Sequence, residues 1–239
     1  MAVTRMANSS IKDFQKSNRA SGFAGPFKAV VSATTGSPTI TTDGTATIYT
    51  FTGDGSITFF KAGKISVFGI GGGGGSKGYN RPSGGGAGKH YENLDLFVEA
   101  GTETITIGAG GSAGGNGAGY AGDGGPTLFG SSVFCNGGSG AFSMEQRNWQ
   151  NAGGGSGGPS GGNYISNTTG LANAKGQGSS LSGVTGVDTD ISGTTNTYGT
   201  GGDDNDAVAG PANSGDGAGG WSSTSGKAGG SGVFIVRVG

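Results

Sequence analysis

The sequence is poor in cysteine and histidine. It contains one cysteine, Cys135, and one histidine, His90, among 239 residues. A single cysteine excludes a disulfide within the chain, and its place in the apolar run Ser132–Cys135 predicts a buried core residue. Any Ser-His-Asp arrangement would have to use His90. That residue stands where a glycine-rich loop ends, so we expect it at the surface or at the start of a strand.

Proline and charged residues are also scarce. The chain has 6 prolines, 14 basic and 15 acidic residues, against 59 glycines. Chains that are disordered by self-repulsion carry a high net charge, which this sequence does not have. Collagen is excluded because proline is rare and no glycine period runs unbroken for long. The apolar residues are grouped into strand-like runs, and this pattern predicts an ordered β core with long glycine-rich excursions.

Long apolar runs are missing. Nothing approaches the ~20 apolar residues of a membrane span, and residues 1–25 contain charges where a secretory signal would be apolar. We therefore expect synthesis in the cytoplasm and no membrane insertion. The basic residues are unevenly placed, because residues 1–28 hold five Lys or Arg against one Asp. No basic stripe with stacking aromatics follows in the body of the chain, so we expect no nucleic-acid partner.

Residues 1–27 are predicted to form an arm that attaches the protein to a partner. Ser10 and Asp13 fit a weak capping box, and Ile11 and Phe14 lie on one face of a short helix. A helix of this length is marginal by itself in water. Two alternatives stay open, a frayed tail or a peptide that orders on docking. In the second case Arg5, Ile11 and Phe14 would make the attachment.

Apolar runs predict an all-β domain over residues 28–239. Strands are expected at 45–51, 56–60, 65–70, 94–98, 102–107, 127–129, 132–135 and 233–238. Hairpins are expected at residues 52–55, 100–101 and between 129 and 132. The alternation of Leu94, Leu96 and Val98 predicts that all three share one dry face. The last strand, 233–238, is expected to return to the sheet formed earlier and to close a small antiparallel β-sandwich-like core.

The glycines recur at every third position in several places. The runs are Gly108, Gly111, Gly114 and Gly117, then Gly119, Gly122 and Gly125, then Gly155, Gly158 and Gly161, and finally Gly226, Gly229 and Gly232. Three residues per turn is the geometry of the polyproline II helix. Glycine along one edge lets such helices approach until their free backbone groups bond to one another. The spacing favours packed polyglycine II helices over the alternative of flexible loops.

Motifs with known chemistry fail when their context is considered. Residues 117–122 match G-x-G-x-x-G, but neither a strand nor a helix flanks them. Residues 83–90 approach a P-loop and place His90 where the magnesium-binding hydroxyl belongs. Residues 203–206, with three Asp and one Asn, do not keep the spacing of a calcium loop and are typical of a solvated turn. We expect no cofactor, no metal and no enzymatic activity.

Aromatic residues stand out within the glycine-rich excursions. Loops of Tyr, Trp, Ser, Gly and Asn are typical of binding surfaces, and aromatic rings also stack on sugar faces. The alternative is that each ring packs on the glycine backbone, and we expect at least two to form a recognition surface. The candidates for receptor binding are Tyr79, Tyr120, Trp149, Tyr164, Tyr198 and Trp221.

A resemblance is carried by residues 49–51, 59–63 and 65–67, which lead into the glycines at 71–75, and by residues 229–238. They resemble the glycine-rich domains of bacteriophage tail-fibre and baseplate proteins. Residues 1–8 are similar to N-termini that dock on a baseplate. The resemblance implies a non-catalytic adhesin in the phage virion, joined to tail or baseplate proteins by its arm. Its loops would bind a host polysaccharide or outer-membrane protein, and a homo-trimer would be expected.

Three other functions stay open at this point. The chain could be a structural virion component, such as a baseplate or decoration protein, whose loops contact neighbouring subunits. It could be a hydrolase that acts on surface glycan, although no catalytic motif supports this. An ice-binding protein built of polyglycine helices is disfavoured, because such chains need regular repeats throughout and no β core.

Overall fold

The computed structural model describes residues 28–78, 84–115, 119–143, 186–202, 208–220 and 225–239. Within these ranges the chain forms strands and no helix, so the predicted all-β fold is confirmed. The strands are β1 (Val30–Thr35), β2 (Thr39–Asp43), β3 (Ala46–Phe51), β4 (Gly55–Lys61), β5 (Gly63–Ile70), β6 (His90–Val98), β7 (Gly101–Thr106), β8 (Gly119–Tyr120), β9 (Thr127–Phe129), β10 (Val133–Cys135), β11 (Phe142–Ser143), β12 (Val187–Thr189), β13 (Asn196–Tyr198) and β14 (Val233–Val238).

Two five-stranded antiparallel sheets form a sandwich around the main core. The first sheet has the strand order β2-β3-β14-β5-β6, and the second has the order β1-β4-β7-β9-β10. Phe51, Val67 and Phe234 of the first sheet pack against Phe59 and Phe129 of the second. The rings of Phe129 and Phe234 stack with their centroids 5.0 Å apart. The predicted sandwich-like core is therefore confirmed.

The C-terminal strand lies in the middle of the first sheet. β14 pairs with β3 on one side and with β5 on the other, so the expected return to the earlier sheet is confirmed. Residues 233–236 are all buried. Because apolar groups cover both faces of this strand, its sequence is a continuous apolar run and does not alternate.

Two of the predicted hairpins are wrong. β3 and β4 lie in different sheets, and so do β6 and β7. Each of these strands has one apolar face, and a sheet must cover such a face with another layer. Phe51 of β3 and Ile57 of β4 are both fully buried in the core between the sheets. Pairing β3 and β4 side by side in one sheet would leave their apolar faces without a covering layer. The hairpin predicted between residues 129 and 132 is correct, since β9 and β10 pair directly.

A β-bulge interrupts the alternation expected in β6. Where β5 advances by two residues, β6 advances by three, from Leu96 to Asn93. The extra residue moves the following side chains to the other face. Leu94 is consequently 66% exposed, whereas Leu96 packs against the main core. The hydroxyl of Ser66 donates to the carbonyl of Leu94 at 2.9 Å and helps to hold the bulge. The prediction that Leu94 shares the dry face is wrong.

The outer face of the first sheet is covered by the hairpin of β12 and β13, which pair antiparallel. Arg237 secures this hairpin, because its guanidinium donates to the carbonyl of Ile191 at 3.3 Å and pairs with Asp43 at 2.7 Å. The result is a second core outside the sandwich, built from Ile48, Phe68, Ile70, Ile191, Val233 and Ile235, with Val187 and Tyr198 packed against it.

The glycine-rich segments leave the sandwich at one end. β5, β7 and β10 run directly into such segments, while β6, β9 and β14 begin where others finish. Antiparallel pairing places the end of one strand beside the start of its neighbour, so these strand termini lie together. Lys28 forms a bridge with Lys64 near the start of β5. The described chain therefore begins at the opposite end of the sandwich, which we call the basal end.

Candidate functional site

The glycine-rich segments assemble into one unit, here called the glycine bundle. Its central segment, residues 71–76, is buried along its whole length. Backbone hydrogen bonds join the segments to one another over their full extent. The glycine bundle comprises residues 71–78, 84–89, 108–115, 121–126, 136–141, 199–202, 208–211, 214–220 and 225–232.

The N–H groups of the central segment point to three neighbours in rotation. Every third residue donates to the same neighbouring segment, with N···O distances of 2.7 to 3.1 Å. Gly71 and Gly74 donate to Lys89 and Gly86 of residues 84–89. Gly72 and Gly75 donate to Gly125 and Gly122 of residues 121–126. Gly73 and Ser76 donate to Gly230 and Lys227 of residues 225–232. This rotation corresponds to three residues per turn, as in the polyproline II helix.

The carbonyl groups of the central segment rotate in the same way toward three further neighbours. Residues 136–141 donate to Gly72 and Gly75, residues 108–115 donate to Gly73 and Ser76, and residues 214–220 donate to Gly74. The central segment thus has six hydrogen-bonded neighbours. Ordering a backbone costs about 1–2 kcal/mol per residue, and bonds of about 1 kcal/mol each at both the N–H and the C=O offset that cost. The prediction of packed polyglycine II helices is confirmed for the described segments, whereas Gly117 and the run Gly155, Gly158 and Gly161 lie outside the described residues.

Close approach explains why the central segment is made of glycine. A Cβ atom added at Gly73 would lie 1.9 Å from the carbonyl oxygen of Asp216, and one added at Gly74 would lie 2.0 Å from that of Ser139. Carbon and oxygen atoms that are not bonded do not come so near. Any side chain at these positions would push the neighbouring segments apart.

The period of three seen in the sequence marks the contact edges of the outer segments. A Cβ atom at Gly226 would lie 2.0 Å from the carbonyl oxygen of Ser76, and one at Gly229 would lie 2.1 Å from that of Gly73. Gly108 and Gly111 are related in the same manner to Gly125 and Gly122, at 2.0 Å each. Glycine is needed where an outer segment faces its neighbour. Glycines outside this period, such as Gly110 and Gly124, face further neighbours, where an added Cβ atom would lie 1.9 Å from a carbonyl oxygen.

The end of the glycine bundle that faces away from the sandwich is called the distal end. At about 3.1 Å per residue, six to eight residues carry it roughly 19–25 Å from the sheets. Side-chain bonds support the order there, because the Ser76 hydroxyl donates to the carbonyl of Gly219 at 2.6 Å and accepts from the N–H of Lys227 at 2.8 Å. The described residues at the distal end are Ser76, Lys77, Gly78, Gly115, Tyr120, Ala121, Ala141, Gly202, Val208, Gly220 and Ser225.

Tyr120 is the predicted recognition residue that the structure places at the distal end. It lies in the two-residue ribbon formed by β8 and β11. The next residue, Ala121, donates its N–H to the carbonyl of Ala141 at 2.8 Å, and both alanines are buried against each other. Tyr120 itself is 74% exposed. Its backbone is therefore tied to the glycine bundle, while most of the residue faces solvent.

Four other predicted recognition residues, Tyr79, Trp149, Tyr164 and Trp221, lie outside the described residues, and their role stays a prediction. The predicted attachment residues Arg5, Ile11 and Phe14 also lie outside the described residues.

Tyr198 lies away from the distal end. It belongs to β13 and packs in the second core, with its ring centroid 5.0 Å from that of Phe68. Burial raises the pKa of its phenol. Tyr198 thus packs against an apolar core, and not on the glycine backbone as the packing alternative expected.

The lone cysteine and the lone histidine both support the β core. Cys135 is fully buried in the main core, as predicted, and burial raises the pKa of its thiol to about 12. His90 is the first residue of β6, as expected, and its ring stacks on Phe68 with the centroids 6.4 Å apart.

Two kinds of feature are absent from the described part of the chain. There, no three His, Cys, Asp or Glu side chains group closely enough to hold a metal ion. Residues 203–206, the acidic candidate, lie outside that part. Among the described residues, no helix has the length and apolarity needed to cross a membrane.

A groove on the side of the glycine bundle was not foreseen from the sequence. It has a volume of about 110 Å³ and is lined by residues 200–202, by residues 208–211, and by Asp216, Gly217 and Gly219. The carboxylate of Asp216 accepts the N–H of Thr200 at 2.8 Å. Burial raises the pKa of this carboxyl, against the lowering effect of its hydrogen bonds. A single Asp between glycines carries no pattern that would have indicated a groove.

One protein family matches most of the chain. The sequence model of a family described as a glycine-rich domain matches residues 41–239. No curated protein matches the chain.

Proposed function

We propose that this chain, which belongs to the glycine-rich domain family, is a non-catalytic adhesin of a bacteriophage tail fibre or tail tip. In this proposal the glycine bundle presents its distal end to the host surface. The ligand is a polysaccharide or an outer-membrane protein. Residues 1–27 attach the protein to the tail or baseplate at the other end, and a homo-trimer multiplies weak single-site affinity.

The observation that carries the proposal is the position of Tyr120. Its ring is exposed at the distal end, and its backbone pairs with Phe142 beside the bonded alanines 121 and 141. A rigid aromatic anchor loses little conformational entropy when it binds. Binding residues held on a rigid scaffold are also typical of recognition loops. A surface-exposed ring with an ordered backbone is therefore suited to stack on a sugar or pack on a protein.

The separation of the two ends of the molecule also supports the proposal. Lys28, where the described chain begins, lies at the basal end of the sandwich, because it pairs with Lys64. The glycine bundle extends from the other end. An arm that joins at one end leaves the other free to reach a second partner, as an adhesin requires.

One observation favours the alternative of a structural virion component. Phe60 is 76% exposed near the basal end. It occupies a bulge of β4, since Val30 and Val31 pair with Lys61 and Phe59 and leave Phe60 without an opposite residue. Bulges often re-aim a side chain, and an exposed phenylalanine of this kind would suit a contact with a neighbouring subunit.

A matched pair of substitutions separates the two functions. Tyr120→Ala and Phe60→Ala remove aromatic rings of similar exposure from opposite ends. Labelled full-length protein is bound to a panel of bacterial strains, with unlabelled protein as competitor. The adhesin function predicts saturable binding that Tyr120→Ala weakens about tenfold, as for a central aromatic anchor, and that Phe60→Ala leaves unchanged. If only Phe60→Ala has an effect, and the effect is loss from particles, the chain is a structural component.

A further inference from the structure

The strand β2 lies at one edge of the first sheet and buries none of its side chains. All five of its residues are exposed, and Ile40, its only apolar residue, is 55% exposed. A strand normally offsets the entropy cost of its ordered backbone by covering an apolar face. Because β2 covers no such face within the chain, it is suited to pair with a strand of another molecule.

The other edge strands of the two sheets carry features that oppose pairing, whereas the ladder of β2 is regular. β1 has two register shifts in its pairing with β4, β6 has the bulge near Leu94, and β10 has only three residues. Bulges and short lengths protect sheet edges from pairing with other chains. β2 pairs with β3 without a register shift and contains no Lys or Arg. Among the described edge strands, β2 is therefore the one best suited to pairing.

The turn between β2 and β3 shows which backbone groups of β2 face outward. Asp43 and Ala46 flank a two-residue loop whose first residue, Gly44, has a φ of 59°. A tight turn of this kind joins its flanking residues by a hydrogen bond, and hydrogen-bonded pairs alternate along an antiparallel ladder. Every second residue counted back from Asp43 therefore bonds to β3. The N–H and C=O groups of Ile40 and Thr42 face away from β3.

We propose that β2 pairs antiparallel with β2 of a second copy of this chain, about a twofold axis at Thr41. In this register Ile40 lies opposite Thr42 of the second copy, and Thr42 lies opposite Ile40 of the second copy. The outward backbone groups of these residues then form four hydrogen bonds. Pro38 precedes the strand and has no N–H, so a register shifted toward it would lose a bond.

The side chains of β2 are compatible with this register. Thr39 lies opposite Asp43 of the second copy, so a hydroxyl donor faces a carboxylate and no like charges are directly opposite. Asp43 is also neutralised within its own copy, because Arg237 pairs with it at 2.7 Å. The two Ile40 side chains become diagonal neighbours, and each covers part of the other.

The proposed contact is small, because each copy contributes one strand of five residues. Small interfaces are typical of weak or transient complexes, so we expect a dissociation constant between about 1 µM and 1 mM. A twofold contact is complete with two copies. The trimer included in the proposed function would need another surface, and the inference about β2 is independent of the adhesin function.

Sedimentation of the full-length chain between about 1 µM and 1 mM tests the proposal, and a reversible dimer is expected. Thr41→Glu places two carboxylates directly opposite each other at the twofold axis, so it should weaken the dimer at least about tenfold. Thr104→Glu is the matched control, since Thr104 is exposed on β7 of the second sheet, and it should leave the dimer unchanged. A chain that stays monomeric, a trimer, or a dimer that Thr41→Glu does not weaken would each overturn the proposal.

Mixing two variants tests the register. Thr41→Lys alone should also weaken the dimer, whereas an equal mixture of Thr41→Glu and Thr41→Lys should associate at least as tightly as the unsubstituted chain. The reason is that an ammonium group then lies opposite a carboxylate. A mixture that associates no better than either variant alone would refute the twofold axis at Thr41.

Hydrogen exchange distinguishes pairing between two copies from pairing within one chain. The amides of Ile40 and Thr42 should exchange at least about tenfold more slowly in the dimer than in the dilute monomer, because they are bonded only in the dimer. Protection that persists on dilution to the monomer would mean that another part of the same chain pairs with β2, and it would overturn the proposal.

Discussion

Substituting alanine for Gly73 tests whether close backbone packing stabilises the protein. The added Cβ would lie 1.9 Å from the carbonyl oxygen of Asp216 and 2.3 Å from its carbonyl carbon. Neighbouring backbone cannot rotate aside as a side chain can, so the segments must separate by about 1 Å or more. We therefore expect Gly73→Ala to disrupt the hydrogen bonds that join residues 71–76, 214–220 and 225–232 to one another.

The expected cost follows from those bonds. Gly73 donates to Gly230 at 2.8 Å, Ala218 donates to Gly74 at 3.0 Å, and Gly230 donates to Asp216 at 2.9 Å. At about 1 kcal/mol net for each bond, the loss is about 3 kcal/mol. For a protein of this size, such a loss lowers the melting temperature by roughly 6–12 °C. Chemical denaturation and thermal unfolding both measure this change.

Gly115→Ala is the matched control for Gly73→Ala. Gly115 also belongs to a polyglycine segment, but a Cβ added there would meet nothing within 4 Å. Alanine restricts the unfolded chain more than glycine does, so this variant should be neutral or more stable by about 0.5 kcal/mol. If the two variants unfold at the same midpoint, steric contact is not what requires glycine in the central segment.

Three further predictions concern the sandwich and the groove. Leu94→Ala should cost less than about 0.5 kcal/mol and Ile105→Ala about 2–5 kcal/mol, because Leu94 is exposed and Ile105 is fully buried; equal unfolding midpoints would contradict the bulge. Burial raises the pKa of the Cys135 thiol from 9.0 to about 12, so the folded state keeps this proton at a pH where the unfolded state loses it. The resulting contribution to stability is fully present below pH 9.0 and should be lost as the pH rises toward about 12. Native protein should therefore not react with a thiol reagent at pH 8, and prompt labelling would refute this. Burial raises the pKa of Asp216 above its ordinary value of 3.8, so the wild type should lose stability relative to Asp216→Asn as the pH rises above 3.8; a difference in unfolding free energy that stays constant with pH would refute this.

Local sequence patterns predicted the eight strands β3–β7, β9, β10 and β14, and missed β1, β2, β8, β11, β12 and β13. The apolar run 233–238 corresponds to β14, and the run 65–70 lies within β5. These strands were recognisable because both carry buried apolar residues at consecutive or alternate positions. β2 escaped recognition since all five of its residues, including Ile40, are exposed. A strand that buries no side chain has no hydrophobic period to detect.

The candidate site was predictable only in part. Tyr120 was predicted as a recognition residue because it lies in a glycine-rich stretch of the sequence. In the structure it is exposed at the distal end. Tyr198 has similar surroundings in the sequence but packs on Phe68. Neighbouring residues along the chain do not reveal which surface a ring will meet, because Phe68 is 130 residues away. The groove beside Asp216 escaped detection for the same reason, since segments distant in sequence form its walls.

By itself, the sequence determined that this protein is all-β, that its apolar runs are strands, and that glycine at every third position is a contact edge. These are properties of short stretches, and the two-residue and three-residue periods reflect the local geometry of the backbone. Only the tertiary structure decided that β3 and β4 enter opposite sheets, that β6 bulges at Leu94, and that residues 71–76 have six neighbours. Each of these depends on which distant segment supplies the apolar face or the carbonyl group. Any two glycine segments offer the same backbone groups, so their pairing is set by the strands to which they are joined.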